Sequence, residues 1–312
     1  MIQYEDKINR ITGLVEQAII GKRSIIEKVM MAILAKGHIL VEDIPGVGKT
    51  TLAVAFSKAM NLKQVRMQFT PDVLPSDVIG FNVLDSHNNM EFKEGAVFCN
   101  LFLADEINRT SPKTQSALLE VMEEGKITVD GQTRLVPNPF VVIATQNPVG
   151  SIGTQMLPES QLDRFMVRLT IGYPDIQSEI NILKSKQKEN PLHKAQNVIN
   201  EDELLEMQER VDTIYIHDKV YDYVGKLVYE TRNHSMIELG VSPRGTIALM
   251  SMAKGRAFVK GREYVNPDDL KSVFKDVVCH RILLNAQAKY KQISVDAVAD
   301  DILNKVPAPR VV

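Results

Sequence analysis

Only two cysteines, Cys99 and Cys279, occur in 312 residues, which excludes a disulfide framework or a cysteine-built zinc site. No apolar run approaches the roughly 20 residues needed to cross a bilayer. The first twenty residues, MIQYEDKINRITGLVEQAII, carry acids where a signal peptide needs bases. No repeat or low-complexity tract is present, and the net charge is only −2, so no global pull toward nucleic acid or anionic membranes exists. These absences lead us to expect a cytoplasmic, mostly reduced protein. What is present is ordinary for a globular chain: 44% hydrophobic and 24% charged residues, with length enough for two domains.

Residues 5–36 read as two helices flanking Gly21-Lys22. Short apolar runs then alternate with helical segments. The runs are His38–Val41, Val65–Phe69, Leu101–Ala104, Phe140–Ala144 and Met166–Ile171, with helices expected at Thr50–Met60 and Pro112–Glu124. Such alternation predicts a parallel sheet covered on both faces. Asp130-Gly131 between alternating residues predicts a tight hairpin over 126–135. A weaker hairpin is expected from Phe81–Leu84 and Ser86–Phe92. Beyond about residue 173 the pattern becomes helical: Glu201–Val211, Lys219–Thr231, Pro243–Lys260, Pro267–Leu284 and Val295–Lys305. Ser242, Asn266 and Ser294 are placed as N-caps, the first two followed by proline. The polar stretch Lys186–Asn200 is the expected junction.

Five elements carry the chemistry. Asp43-Ile44-Pro45-Gly46-Val47-Gly48-Lys49-Thr50-Thr51 nearly matches the phosphate-binding loop, lying between a strand and a helix. Its glycines let N–H groups turn toward phosphate oxygens, Lys49 supplies mobile charge, and Thr50 offers a hydroxyl to Mg²⁺. Asp43 stands where the general pattern has glycine. Second, the buried run Leu101–Ala104 ends in Asp105-Glu106. Asp105 suits a magnesium ligand, directly or through water, and Glu106 suits the base that polarises attacking water. Third, Asn147 closes another apolar run and is placed to position water, although Asn-Pro is also ordinary turn chemistry. Fourth, Arg164 has the fork geometry to bridge transition-state oxygens, against a plain surface pair with Asp163. Fifth, Arg244 lies in a helix's first turn, where a cation opposes the dipole unless an anion binds; a solvated arginine is the ordinary alternative.

The order of these elements resembles an AAA+ ATPase and, more narrowly, the MoxR family. The stretches "HILVEDIPGVGKTTLA", "QFTPDVLPSDVIGF", "LFLADEINRTSPKTQSALLEVMEEGKITVDG", "ATQNP" and "LPESQLDRF" carry the likeness, continued by "SPRGTIAL". The resemblance implies an α/β AAA+ P-loop core with a five-stranded parallel sheet over residues 1–188, then an all-α helical lid over 189–312. It implies ATP held by residues 45–51 and Asp105, magnesium at Thr50 and Asp105, and catalytic roles for Lys49, Glu106, Asn147, Arg164 and Arg244. Residues 80–95 become a helix-2 insert and 126–135 the pre-sensor-1 hairpin. Rings are implied, usually hexamers, with Arg164 reaching a neighbour's nucleotide; whether Arg244 acts in cis or in trans stays open. The implied partner is a protein with a von Willebrand factor A domain. The chain departs from the family in lacking Pro-Gly-Pro near Lys93–Phe98, and in carrying Gln155-Met156 where Tyr-Pro is usual.

Two other functions compete with partner remodelling. A nucleic-acid motor needs basic, aromatic-interleaved pore hairpins. The 81–92 segment has Asp85 and Glu91 and no lysine or arginine, so nucleic acid is disfavoured. A nucleotide-gated switch with little turnover has no need of Glu106, Asn147 and Arg164. Arg109 and Lys113 are either interface groups or a solvated helix start.

Overall fold

The computed structural model describes residues 2–44, 46–147, 156–185 and 197–310. Two helices, α1 (Ile2–Ala18) and α2 (Arg23–Leu34), precede β1 (Ile39–Glu42), α3 (Lys49–Ala59) and β2 (Gln64–Gln68). A short α4 (Pro75–Ile79) leads into the hairpin β3 (Gly80–Leu84) and β4 (Met90–Glu94). Then come β5 (Leu101–Asp105), a 3-10 turn (Ile107–Arg109) and α5 (Pro112–Glu124). The hairpin β6 (Lys126–Val129) and β7 (Gln132–Leu135) is followed by β8 (Val141–Gln146), α6 (Glu159–Leu162), β9 (Val167–Leu169) and α7 (Ile176–Ser185).

The central sheet is five-stranded and parallel, in the order β2-β5-β8-β1-β9. Every residue of β5 and β8 is buried, because helices cover both faces. The side-chain period of two then splits these strands between two cores. Leu101, Leu103, Val141 and Ile143 pack with α1, α2 and α3. Phe102, Ala104, Val142 and Ala144 pack with Leu118, Leu119 and Met122 of α5.

The C-terminal part comprises α8 (Glu201–Asp212), α9 (Asp218–Asn233), β10 (Ile237–Leu239), α10 (Pro243–Val259), α11 (Pro267–Val278), β11 (Leu283–Leu284), α12 (Ala286–Tyr290) and α13 (Val295–Lys305). Ser242, Asn266 and Ser294 cap as expected, accepting from the N–H groups of Gly245, Asp269 and Ala297. Their helices share the first core with α2, and Gly255 of α10 makes this possible: a Cβ there would meet the Met31 carbonyl oxygen at 2.7 Å.

Three expectations need correction. The helix begun at Pro267 ends at Val278, not Leu284. His280 and Arg281 are turned into the interior to meet Phe165 O and Asp163, and Leu283–Leu284 pairs antiparallel with β10. The region read as all helix therefore carries a small sheet. In the weaker hairpin, residues 86–89 belong to the turn, because the Asp85 carboxylate accepts from the N–H groups of His87 and Asn89. The short α4 and α12 escape the sequence reading because five residues carry too little periodicity. The ten-residue α7 is not anticipated either.

The hairpin segment over residues 80–95 is closed by its two glycines. A Cβ on Gly95 would lie 2.3 Å from Gly80 N and from Val78 O, and one on Gly80 would lie 2.4 Å from Lys93 O. At the other hairpin, Asp130 and Gly131 have φ of 49° and 76°, which gives the expected primed turn. The two hairpins touch. Asn82 donates to Asp130 at 2.7 Å, and the Arg134 guanidinium sits 4.0 Å over the Phe92 ring.

Candidate active site

The chain leaves β1 at Glu42 and turns into α3. Pro45 lies outside the described residues. Gly46 and Gly48 have φ of 88° and 98°, a conformation that a side chain would strain. Gly48 is the N-cap of α3, and no side chain caps that helix, so its first N–H groups and positive dipole end face the loop. Asp43 braces this loop: its carboxylate accepts from Ile44 N at 2.8 Å and from Gly172 N at 2.6 Å. That explains an acid at the position where the general pattern has glycine.

Lys49 is buried, and its ammonium donates to Asp43 O at 2.7 Å and to Asn147 Oδ1 at 3.3 Å. Burial lowers its pKa, while Asp105, Asp43 and Glu106 oppose that shift. Asn147 uses its other amide atom to donate to Glu106 at 3.0 Å. One side chain therefore links the lysine of the loop to the proposed base. Glu106 stands at φ 56°, ψ 48°, a left-handed conformation uncommon for a residue with a side chain and costly to hold. Arg109, at the end of the 3-10 turn that follows, also binds the Glu106 carboxylate, at 2.6 Å.

Two partners of this site were not legible in the sequence. Thr145 donates to Asp105 at 2.6 Å and accepts from the Glu106 backbone N–H at 2.9 Å, so one hydroxyl fixes both acids. Arg66, on the edge strand β2, pairs with Asp105 at 2.8 Å. The only signal for either is sheet order, since β5 lies between β2 and β8.

Thr50 is half-buried and Thr51 exposed on the first turn of α3, with Val47 half-buried in the loop. Among the described residues no cluster of three or more His, Cys, Asp or Glu side chains exists to hold a metal by itself. Two left-handed glycines, an uncapped helix start, a buried lysine, a hydroxyl and one carboxylate instead fit a phosphate chain that brings magnesium with it.

Arg164 and Arg244 lie elsewhere. The strands are parallel, so Asp43, Asp105 and Asn147 lie at the C-terminal ends of β1, β5 and β8. Arg164 precedes β9, and Met166 N donates to His38 O at 2.8 Å at the N-terminal end of β1. His38 bonds Met122 O of α5 at 2.9 Å, so the end of α5 is at this same edge. Arg164 donates to Leu119 O at 3.1 Å and pairs with Glu123, which also receives Arg244. Asp163 is not the partner of Arg164; it accepts from Arg281 at 2.7 Å and from Ser242 at 2.9 Å. The two edges are separated by the length of β1, five residues from His38 to Asp43, or about 16 Å at the usual strand rise.

A parallel sheet with a phosphate loop after β1, two acids at the C-terminal end of β5 with β8 between these two strands, and a helical lid defines a P-loop NTPase of the AAA+ class. Family comparison agrees: residues 38–167 match the ATPase family associated with various cellular activities, and 229–302 match the AAA lid domain. The chain is 36% identical to Chaperone MoxR1 of Mycobacterium tuberculosis over 95% of its own length and 81% of that protein's. It is 42% identical to the uncharacterized protein YeaC of Bacillus subtilis, covering 98% of this chain and 97% of the other. A crystal structure of a provisionally assigned ATPase from Cytophaga hutchinsonii superposes with a TM-score of 0.92 at 38% identity, over 99% of this chain and 97% of that one. The chain belongs to the MoxR family of AAA+ ATPases.

Proposed function

We propose that this chain is a magnesium-dependent ATPase, working in a homo-oligomeric ring, that remodels or matures a partner protein. The separation of the two edges carries the reading. Arg164 and Arg244 sit about 16 Å of strand away from the phosphate loop of their own subunit. They serve catalysis by reaching a neighbour's nucleotide, which favours the trans role for both. Closed rings, hexamers in this proposal, supply such head-to-tail contacts.

In the assembled site, loop N–H groups and Lys49 hold the β- and γ-phosphates, with Val47, Thr50 and Thr51 in the same turn. Magnesium held by Thr50 and Asp105 would neutralise developing charge on the phosphate oxygens. To bind phosphate, Lys49 exchanges Asp43 O and Asn147 for ligand oxygens. Asn147 then loses one partner and keeps Glu106, so phosphate occupancy is reported to the base. Glu106 takes the proton of the attacking water. Arg164 and Arg244 of the next subunit complete charge stabilisation, a contribution worth about 10³–10⁵ in rate in other NTPases.

The hairpins support a protein partner. Their exposed residues include Phe81, Leu84, Met90 and Leu135. Their cations are engaged: Lys93 pairs with Glu91, Lys126 with Glu124, and Arg134 covers Phe92. A nucleic-acid motor needs those charges free for phosphates. Among the described residues no helix is long and apolar enough to cross a membrane. The proposed setting is cytoplasmic, the proposed moving units are residues 1–188 and 189–312, and the proposed partner carries a von Willebrand factor A domain, in keeping with a relative named as a chaperone.

The test is ATP-dependent capture from native lysate with Glu106→Gln, which keeps binding and removes the base. Retention of a von Willebrand factor A protein only with ATP is the expected result. Retention of nucleic acid sinks the remodelling reading in favour of the motor. A captured set identical to the ATP-free control moves the assignment to a passive nucleotide switch.

A further inference from the structure

We infer that Glu123 is the positioning residue that holds Arg164 and Arg244 together as one unit facing the neighbouring subunit. This deepens the ATPase reading above and rests on the trans action of those arginines. The geometry is specific. Glu123 lies in the last turn of α5, Arg164 just after α6, and Arg244 in the first turn of α10. Its two carboxylate oxygens are divided, Oε2 receiving Arg164 and Oε1 receiving Arg244. One side chain thus ties Arg164 of the N-terminal part to Arg244 of the C-terminal part.

Three properties make this a positioning device rather than a buried brace. The side chains of Glu123, Arg164 and Arg244 are 39%, 31% and 43% exposed, so they stay open to an incoming anion. The neighbouring charges are already committed: Asp163 is held by the buried Arg281 and by Ser242. Among the described residues, the carboxylates paired with the guanidinium groups of Arg164, Arg244 and Arg281 are those of Glu123 and Asp163, their other contacts being to backbone carbonyls and His280, which leaves one positive charge in excess. A phosphate from the next subunit supplies the missing negative charge. Glu123 also meets the conflict of a cation in the first turn of α10, where the dipole repels Arg244. Pre-ordering two long side chains removes rotamer freedom before the nucleotide arrives, which is how positioning raises turnover.

The experiment is steady-state ATP hydrolysis by assembled rings of wild type, Glu123→Gln, the double variant Arg164→Ala with Arg244→Ala, and the triple variant. Glutamine keeps the length and loses the charge and one acceptor. We expect Glu123→Gln to lower kcat about tenfold or more while KM for ATP stays within about twofold, since the phosphate loop is untouched. We expect the triple variant to match the double one, because Glu123 acts only through the two arginines. Wild-type kcat in Glu123→Gln overturns the proposal, as does an undiminished Glu123→Gln effect in the background lacking both arginines. Wild-type kcat in the double variant overturns the trans-arginine reading itself, and this inference with it. Should Glu123→Gln rings fail to assemble, Glu123→Asp carries the comparison, keeping the charge but shortening the reach: lowered kcat at constant KM supports the proposal and wild-type kcat overturns it.

Discussion

The two edges of the central sheet are built on opposite plans. At the C-terminal edge, Lys49 and Asp105 are buried, and Lys49, Asn147, Glu106, Thr145 and Asp105 form one chain of hydrogen bonds. At the N-terminal edge, Arg164 and Arg244 are substantially exposed and converge on the single carboxylate of Glu123. One edge is acid-rich and carries the phosphate loop; the other is cation-rich and, among the described residues, has fewer paired carboxylates than guanidinium groups. Each looks like half of a site. In the proposed ring, head-to-tail association would complete both halves and make chemistry conditional on assembly.

The largest expected effect breaks the comparison directly. Arg164→Ala should lower ring ATPase by about 10³-fold or more. Mixed with equally inactive Glu106→Gln, it should recover activity, since some interfaces then join an intact base to an intact arginine. Turnover in mixed rings measures this, and no recovery would show that both residues act within one subunit.

Acid should loosen the N-terminal edge by a mechanism the other edge lacks. His38 accepts from Val142 N at 3.0 Å through Nδ1, so Nε2 carries the proton donated to Met122 O, and the ring is neutral. Burial pulls its pKa from the usual 6.5 to about 4. Below pH 6.5 the unfolded chain takes up a proton that the folded one refuses. Stability is therefore full above about 6.5 and falls as pH drops toward 4, by about 3 kcal/mol from this residue. The buried His280, pushed well below 6.5 by burial and by Arg281, acts in the same direction. Urea melts of wild type and His38→Asn at pH 7.5 and 5 check this: the variant should show the shallower pH slope.

A smaller change sharpens the comparison by touching neither edge. Gly95→Ala forces a Cβ against the backbone of Gly80 and Val78 and should cost about 2 kcal/mol in denaturant unfolding. Basal ATP turnover should stay within about twofold, because no atom of the two clusters moves. An unaltered melt would refute the steric account of how the 80–95 hairpin is closed.

The phosphate loop and the Asp105-Glu106 pair were readable because their chemistry lies in contiguous residues, and the strands because burial on both faces leaves unbroken apolar runs. The caps at Ser242, Asn266 and Ser294 were readable for the same local reason. Thr145 was not, since its value comes from β8 lying beside β5, forty residues away in the chain. Arg109 was noted only as an ambiguous cation until the turn at Glu106 brought the two together. For Arg164 the plain alternative of an Asp163 pair does not hold, because Arg281 from 118 residues further on takes that carboxylate.

By itself, then, the sequence determined the candidates for the chemistry, the groups proposed to meet phosphate and the acid proposed to meet water, and most of where the helices and strands run. Those depend on short-range spacing, and side-chain periodicity records it. Only the tertiary structure decided which groups share an edge. Strand order and the return of α5 and α10 place Glu123 between two arginines from distant segments, and no local pattern encodes a contact made by packing.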